Sequence, residues 1–413
     1  MNSSHARHLV LLGALAALSA LVLRGAPVRA DETVADPNAV KVSWKDGIRL
    51  ETADKKNQFH VGGRIHYDWA FFQEDDELQN SIGPVQDGVE LRRARLIADG
   101  LVNGNVEFRN EIDFGGGRVQ IRDVYVGLRG LPAVGTFRVG HFKEPFSLEE
   151  NTSDVHTTFI EPSVADYFAP SRNPGAMLTN TFAEERVTAS AGFFRDSDAS
   201  GNRVGDGEYN GTARVTGLPI WKDDGRTLVH LGAAGSIRNP NDEVVRLRAR
   251  PEANLAPFLV DTDSLGVESQ TLFGGEAAVV LGALSVQGEL VGTALSAIEG
   301  PDPSFSSYYV QGSWFLTGEH QNYRRAAGVF ADVVPEKPFS TDGGAGAWQL
   351  AVRYSHISLD DDAIVRGGEL SDVTFGLNWY PNTITRFMAN VVLADAEDLG
   401  QMTSIVTRVQ IVF

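Results

Sequence analysis

The chain has 413 residues, a formal charge of −18 and no cysteine. A polyanion of this kind is a poor candidate for nucleic-acid binding, because that affinity comes mainly from neutralising phosphates with Lys and Arg. The absence of cysteine excludes a disulfide framework, thiolate chemistry and the usual ligands of structural zinc.

The first segment, residues 1–30, has the features of a secretory signal peptide. Arg7 precedes an apolar run over residues 9–23, and small residues ending at Ala30 form a cleavage signal. We therefore predict an exported chain in which residues 31–56 form a polar N-terminal periplasmic extension. No later apolar stretch approaches the roughly 20 residues of a membrane-spanning helix. If the chain crosses a membrane, it must do so as a closed β-barrel.

From residue 57 onwards the chain shows the two-residue periodicity of β-strands. Between Phe59 and Phe71 apolar side chains alternate with polar ones, and the pattern recurs as far as Phe413. Tight turn signals such as residues 103–105 separate the segments. Periodicity alone does not say which face is wet, but Trp and Tyr near many strand ends are typical of membrane interfaces. The sequence predicts an all-β domain, residues 57–413: a transmembrane antiparallel barrel of about 16 strands, a size that leaves an aqueous channel.

Positive charge is concentrated between Val89 and Lys143, against the acidic trend of the whole chain. In strands, alternation sends about half of such side chains to one face, which we interpret as the wall of a pore. The alternative is that these cations pair with carboxylates on neighbouring strands and stiffen the wall without selecting ions. The two roles can coexist. The cations predicted to line the pore and bind anions are Arg64, Arg92, Arg93, Arg109, Arg122 and Lys143. The neighbours Arg92 and Arg93 would both face inward only at a β-bulge.

Residues 143–178 are too long and too irregular for a hairpin. Their four prolines predict a functional loop that folds into the barrel and narrows it. His60 and His66 lie on one polar strand face without a third ligand nearby, so we predict no metal site. No Ser/His/Asp arrangement or carboxylate pair has a catalytic spacing. We therefore predict neither enzyme activity nor a cofactor.

Several segments resemble the phosphate-selective porin O and P family. In chain order they are residues 92–93, 122–127, 139–149, 313–319, 346–355, 376–381 and 408–413. The resemblance implies a bacterial outer-membrane barrel of about 16 strands. It also implies contact with membrane lipid, a homotrimer, and a lumen whose arginines and lysine pass small anions such as phosphate.

The predicted constriction departs from the family pattern. Where phosphate-selective members have a central lysine, this chain has Glu150, and Ser153 matches a loop serine but is followed by Asp154. With Asp123, Glu150 and Ser153 complete the predicted constriction residues. Unpaired carboxylates at a narrow passage would oppose a phosphate dianion.

Two hypotheses follow from the sequence. The leading one is an outer-membrane porin whose water-filled channel lets small hydrophilic solutes diffuse passively, with a preference for anions. The competing one is an exported β-barrel or β-sandwich that binds a ligand and has no channel activity. A membrane barrel should require detergent for extraction, whereas a β-sandwich should be soluble without it.

Overall fold

The two-residue alternation produces sixteen long strands that close into a barrel. The computed structural model describes residues 36, 39–205, 207–361 and 365–413, so the predicted signal peptide lies outside the described residues. Neighbouring strands pair antiparallel in chain order, and the last strand pairs with the first. The strands are β1 (Gln58–Glu74), β2 (Gly88–Val102), β3 (Val106–Asp113), β4 (Gln120–Leu131), β5 (Gly135–Lys143), β6 (Arg172–Phe182), β7 (Val187–Arg195), β8 (Tyr209–Lys222), β9 (Thr227–Arg238), β10 (Leu265–Leu281), β11 (Leu284–Ala297), β12 (Ser304–Phe315), β13 (Ala347–Asp361), β14 (Val365–Tyr380), β15 (Thr385–Ala396) and β16 (Gly400–Val412). The predicted barrel is therefore confirmed.

Strand β1 shows how the alternation divides the two faces. Arg64, His66 and Asp68 are buried inside the barrel, whereas the intervening Ile65 and Tyr67 are exposed on its outer surface. The division continues around the barrel and gives an apolar outside and a polar inside. A membrane barrel requires this distribution, because closure pairs every strand edge and only the outer face meets lipid.

A β-bulge in β2 explains why its arginines occur in both phases of the alternation. His66 pairs with Arg93 and Tyr67 pairs with Leu91, so Arg92 is the extra residue. The bulge lets Arg92 and Arg93 both reach inward-folding residues. The sequence analysis required a β-bulge if Arg92 and Arg93 were both to face inward, and this bulge is present.

The connections differ at the two ends of the barrel. At one end, here called the turn end, most are tight turns, including the predicted hairpins at residues 103–105 and 282–283. At the opposite end, here called the loop end, residues 144–171 and 239–264 fold into the barrel. Their apolar residues Phe146 and Ala253, among others, share one buried core with strand residues. The predicted inward-folding loop is present but shorter than the predicted range 143–178, because Lys143 belongs to β5 and residues 172–178 belong to β6. A second loop accompanies it.

The connection between β12 and β13, residues 316–346, is long although it lies at the turn end. Its residues Tyr323, Val329 and Phe330 pack against Leu228 of β9 and Leu148 of the first inward loop. We call this segment the turn-end insertion. It narrows the barrel from the side opposite the two loops.

A short hairpin precedes the barrel. Its strands Val40–Trp44 and Ile48–Thr52 meet at a turn in which Asp46 and Gly47 have φ values of 54° and 123°. The second strand pairs with the first residues of β1 and extends the sheet at the turn end. The segment 31–56 that was predicted as a polar extension thus contains ordered strands on the barrel rim.

The remaining described elements are short. The α-helices are Asp76–Ile82 and Leu148–Asn151, the minor strands are Val244–Val245, Arg248–Ala249, Val260–Asp261, Tyr323–Arg324 and Val329–Phe330, and the 3-10 turns are Gly115–Gly117, Val164–Phe168, Asp223–Gly225, Asn241–Glu243 and Arg325–Ala327. Across the described ranges, no helix has both the length and the apolar character that crossing a membrane demands.

Candidate functional site

A cavity of about 1080 Å³ occupies the turn-end half of the barrel. It lies between the wall strands, the first inward loop and the turn-end insertion. Its lining carries eleven Lys and Arg residues but seven Asp and Glu residues. The whole chain has the opposite balance, with 36 basic and 54 acidic residues. The fold therefore gathers positive charge around this cavity.

Each of the six predicted pore cations lies within ion-pair distance of a carboxylate. Arg64, Arg109 and Lys143 line the cavity, whereas the other three lie outside its lining. The pairs and their N–O distances are Arg64–Glu111 at 3.1 Å, Arg92–Glu161 at 2.8 Å, Arg93–Asp154 at 2.6 Å, Arg109–Glu111 at 2.7 Å, Arg122–Asp113 at 3.3 Å and Lys143–Glu150 at 3.6 Å. The pairing that the sequence left as an alternative is thus present throughout the group.

Asp154 of the first inward loop is bound by three arginines. Its carboxylate contacts Arg64, Arg93 at 2.6 Å and Arg95 at 3.0 Å. The predicted constriction residue Ser153 accepts a hydrogen bond from Arg64 at 3.1 Å. Burial acts to raise the pKa of Asp154, but the three guanidiniums outweigh it and hold the pKa well below its usual value. Asp154 is therefore an ionised internal anion at the centre of the basic wall.

Glu150 lies beside the cavity and is not among the side chains that line it. Its carboxylate accepts a hydrogen bond from Ser171 at 2.8 Å and lies near Lys143, which also donates to the Glu150 carbonyl. Asp123 does line the cavity, but Arg172 binds both of its oxygens at 3.1 and 3.2 Å. The carboxylates expected to repel anions are thus neutralised by neighbouring cations.

Further arginines on the inner face hold the two inward loops. On β13, Arg353 is fully buried and donates to Glu149 of the first loop at 3.0 Å and to Glu252 of the second at 2.9 Å. On β16, Arg408 binds Glu161 of the first loop at 2.7 Å. The sequence analysis did not select these arginines. Their position in the polar phase of their strands is the signal that could have identified them.

A second group that the sequence analysis missed lies on the loop over residues 239–264. The guanidiniums of Arg248 and Arg250 each lie 4.0 Å from the ring centroid of Phe258. Neither arginine forms an ion pair with any described residue, whereas the nearby Arg246 pairs with Asp261 at 2.5 Å. Three arginines at every second position are the signal that marks this segment in the sequence.

Comparisons with known proteins agree with this architecture. The family model described as phosphate-selective porin O and P matches residues 59–413. Porin O of Pseudomonas aeruginosa is 24% identical over 446 residues, covering 97% of this chain and 99% of that protein. An uncharacterised protein of Caulobacter vibrioides is 29% identical over 389 residues, covering 90% of this chain and 76% of that protein. The solved structure of an anion-selective porin from Comamonas acidovorans aligns with a TM-score of 0.54 at 14% identity, covering 86% of this chain and 100% of that chain.

Proposed function

Because this chain belongs to the phosphate-selective porin O and P family and is a channel of the bacterial outer membrane, we propose that it passes small hydrophilic solutes passively and favours anions. The observation that carries the proposal is the excess of Lys and Arg around the cavity of an acidic chain. Net positive charge in a narrow, low-dielectric passage lowers the entry barrier for anions and raises it for cations. The description of the Comamonas structure as anion-selective supports the same direction.

Paired arginines can still contact a passing anion. Arg109 binds Glu111 through Nε and Nη2 at 3.2 and 2.7 Å, and its side chain remains partly exposed to the cavity. A guanidinium has five N–H donors, so the remaining donors can replace part of an anion's hydration shell. The wall would therefore combine stiffness with anion contacts, and permeation would involve no catalytic step.

We infer that phosphate is one permeant anion among several. Asp154 occupies the group formed by Arg64, Arg93 and Arg95, which would otherwise suit a phosphate dianion. An ionised carboxylate at this place weakens phosphate binding by charge repulsion. The family description supports passage of phosphate, and Asp154 argues against strong selectivity for it.

The proposal also includes the orientation of the barrel in the membrane, its contact with lipid and its oligomeric state. Outer-membrane barrels have short periplasmic turns, so the turn end would face the periplasm and the loop end the outside. The exposed apolar outer face would contact lipid. The homotrimer that the family resemblance implies is also a proposal, which electrophoresis of unheated, detergent-extracted protein would test by its migration.

The central test is the reversal potential of the purified protein in a planar bilayer under a potassium chloride gradient. We expect a potential of the sign set by chloride, and we expect added phosphate to reduce the chloride conductance. A potential of the sign set by potassium would contradict the anion preference. A protein that folds and inserts without conducting would favour the competing hypothesis of a binding barrel.

The arginines of the second inward loop, residues 239–264, lead to a prediction about phosphate that enters from the loop end. Replacing Arg248 and Arg250 with Gln should weaken phosphate block from the loop-end side about threefold, because neither arginine is fully buried and each charge therefore contributes only modestly. The matched control is R246Q, since Asp261 already offsets the Arg246 charge. Block constants measured with phosphate on each side would check this. Equal effects of the double variant and R246Q would contradict it.

A further inference from the structure

Three buried carboxylates share the surroundings of Arg353 inside the barrel. Two of them, Glu149 and Glu252, accept hydrogen bonds from its guanidinium at 3.0 and 2.9 Å. The third, Asp372 of β14, is 0% exposed, and no ion pair joins it to Arg353 or to any other described cation. Three ionised acids around one guanidinium would leave buried negative charge without a partner, which is unfavourable.

Glu252 of the second inward loop has the contacts of an ionised carboxylate. Besides Arg353, its oxygens accept hydrogen bonds from Ser355 Oγ at 2.6 Å and from Thr374 Oγ1 at 2.5 Å. Hydrogen bonds donated to a carboxylate favour its charged form. We therefore assign the negative charge to Glu252.

Asp372 has the surroundings of a neutral acid. Its Oδ2 accepts one hydrogen bond, from the backbone N–H of Glu252 at 2.8 Å, whereas its Oδ1 is buried without a hydrogen-bond partner. Its cross-strand neighbours, Ser355 and Ala394, carry no charge. The charged groups that face it are Glu252 of the second loop and Arg353 of β13. Burial and a neighbouring carboxylate both disfavour ionisation.

Asp68 on β1 shows the contacts of an ionised aspartate that is buried to a similar extent. It is 2% exposed, and Arg408 donates to both of its oxygens at 2.7 Å. Its charge thus has a counter-charge in direct contact. Asp372 lacks such a partner, because Arg353 is already bound by Glu149 and Glu252.

We propose that Asp372 carries a proton in the folded channel and, as a neutral acid, positions the second inward loop against the barrel wall. This inference goes beyond the proposed anion preference and rests only on the protein being a channel. The neutral carboxyl group accepts the Glu252 N–H, and the adjacent Ala253 belongs to the same apolar core as Leu370 and Ala394. Loss of the proton to water would leave two carboxylates side by side at that core, loosen the loop and widen the lumen.

The proton gives the position of the loop a pH dependence of defined sign. An aspartate in an unfolded chain releases its proton at about pH 4. A group that keeps its proton only in the folded protein contributes stability at low pH and loses that contribution as the pH rises. The second inward loop should therefore be held at neutral pH and loosen as the medium becomes alkaline.

Infrared difference spectroscopy of the detergent-purified protein tests the proton directly, with D372N as the variant and D68N as the matched control. A protonated carboxylic acid has a carbonyl stretch at higher frequency than a carboxylate or an amide, and this band shifts when deuterium replaces the proton. We expect D372N to lose one component of the band and D68N to keep every component. Both variants should fold, because D372N retains an acceptor for the Glu252 N–H and D68N leaves Arg408 paired with Glu161.

Planar-bilayer recordings over a pH series give the functional readout. In the unaltered protein and in D68N, we expect the conductance to rise and become noisier as the medium is made alkaline. We expect D372N to lose this response, because its side chain has no proton to release and keeps the loop in place. A variant with a merely structural defect would show altered conductance at every pH.

Two results would overturn the inference. If the carboxylic acid band were the same in D372N and in the unaltered protein, Asp372 would be ionised. If D372N responded to pH as the unaltered protein does, the proton would not position the loop. The infrared result does not depend on ion selectivity, so a channel that prefers cations would reject the proposed function and leave this inference standing.

Discussion

Replacing Asp154 with Asn is expected to make the channel more anion-selective and to tighten phosphate block about tenfold or more. The substitution keeps the shape of the side chain and removes the negative charge shared by Arg64, Arg93 and Arg95. A unit charge at 4 Å is worth about 4 kcal/mol at an effective dielectric constant of 20, and water in the lumen reduces that value. Arg64 and Arg95 would keep their contacts with Glu111, and Arg95 its contact with Asp113, but the donors that now bind Asp154 would be available to a diffusing anion.

Three measurements would check this expectation. The reversal potential under a chloride gradient should move further in the anion direction, and the phosphate block constant should fall. The unfolding temperature of D154N in detergent should decrease at low salt and recover when phosphate is added, because an anion that binds only the folded state stabilises it. The matched control is E150Q, which makes the same chemical change in the same loop at a side chain outside the cavity lining. Identical behaviour of D154N and E150Q would refute the role given to Asp154.

Replacing Arg353 with Met is expected to cost about 3 to 5 kcal/mol of folding free energy, because the change leaves buried carboxylates without their cation. Arg353 is fully buried and holds Glu149 and Glu252, one from each inward loop. Its loss should loosen both loops together. Single-channel recordings should show larger and noisier conductance than the unaltered protein.

The folding stability of the R353M variant should also depend on pH. Burial raises the pKa of Glu149, although Arg353 acts against that increase. Without the guanidinium the pKa in the folded state would rise further above the unfolded value of about 4.3. A carboxyl group with a raised folded pKa favours the folded state at low pH and loses that contribution as pH rises through the folded pKa. The deficit of R353M should therefore grow as the pH rises from the unfolded pKa of about 4.3 towards neutral pH.

The control for Arg353 is R246M in the second inward loop. Arg246 pairs with Asp261, but both side chains are partly exposed, so its removal should cost less than about 1 kcal/mol at any pH in this range. The loss of stability in both variants would be measured by thermal unfolding in detergent, with electrophoretic migration used to monitor the folded fraction. A loss in R353M no larger than that in R246M would show that Arg353 does not anchor the loops.

The sequence by itself determined the barrel and its two faces. Alternation is a local property with a period of two residues, so Phe59 to Phe71 specifies an apolar and a polar face before any neighbour is known. The prolines of residues 143–178 likewise marked an irregular segment. Arg92 and Arg93 are adjacent, so both could face inward only at a β-bulge. The structure places this bulge at Arg92.

Only the tertiary structure decided which charges meet. Asp154 and Arg64 are far apart in sequence and come together because the first inward loop folds against β1. The length of residues 316–346 did not say that this segment enters the barrel, where its apolar residues pack against a wall strand and a loop. Pairing between residues that are far apart in sequence depends on strand register and loop packing, and a local pattern contains no information about either. For that reason the sequence placed Arg64 on the polar face of its strand, while the fold determined that it meets Glu111 and Asp154.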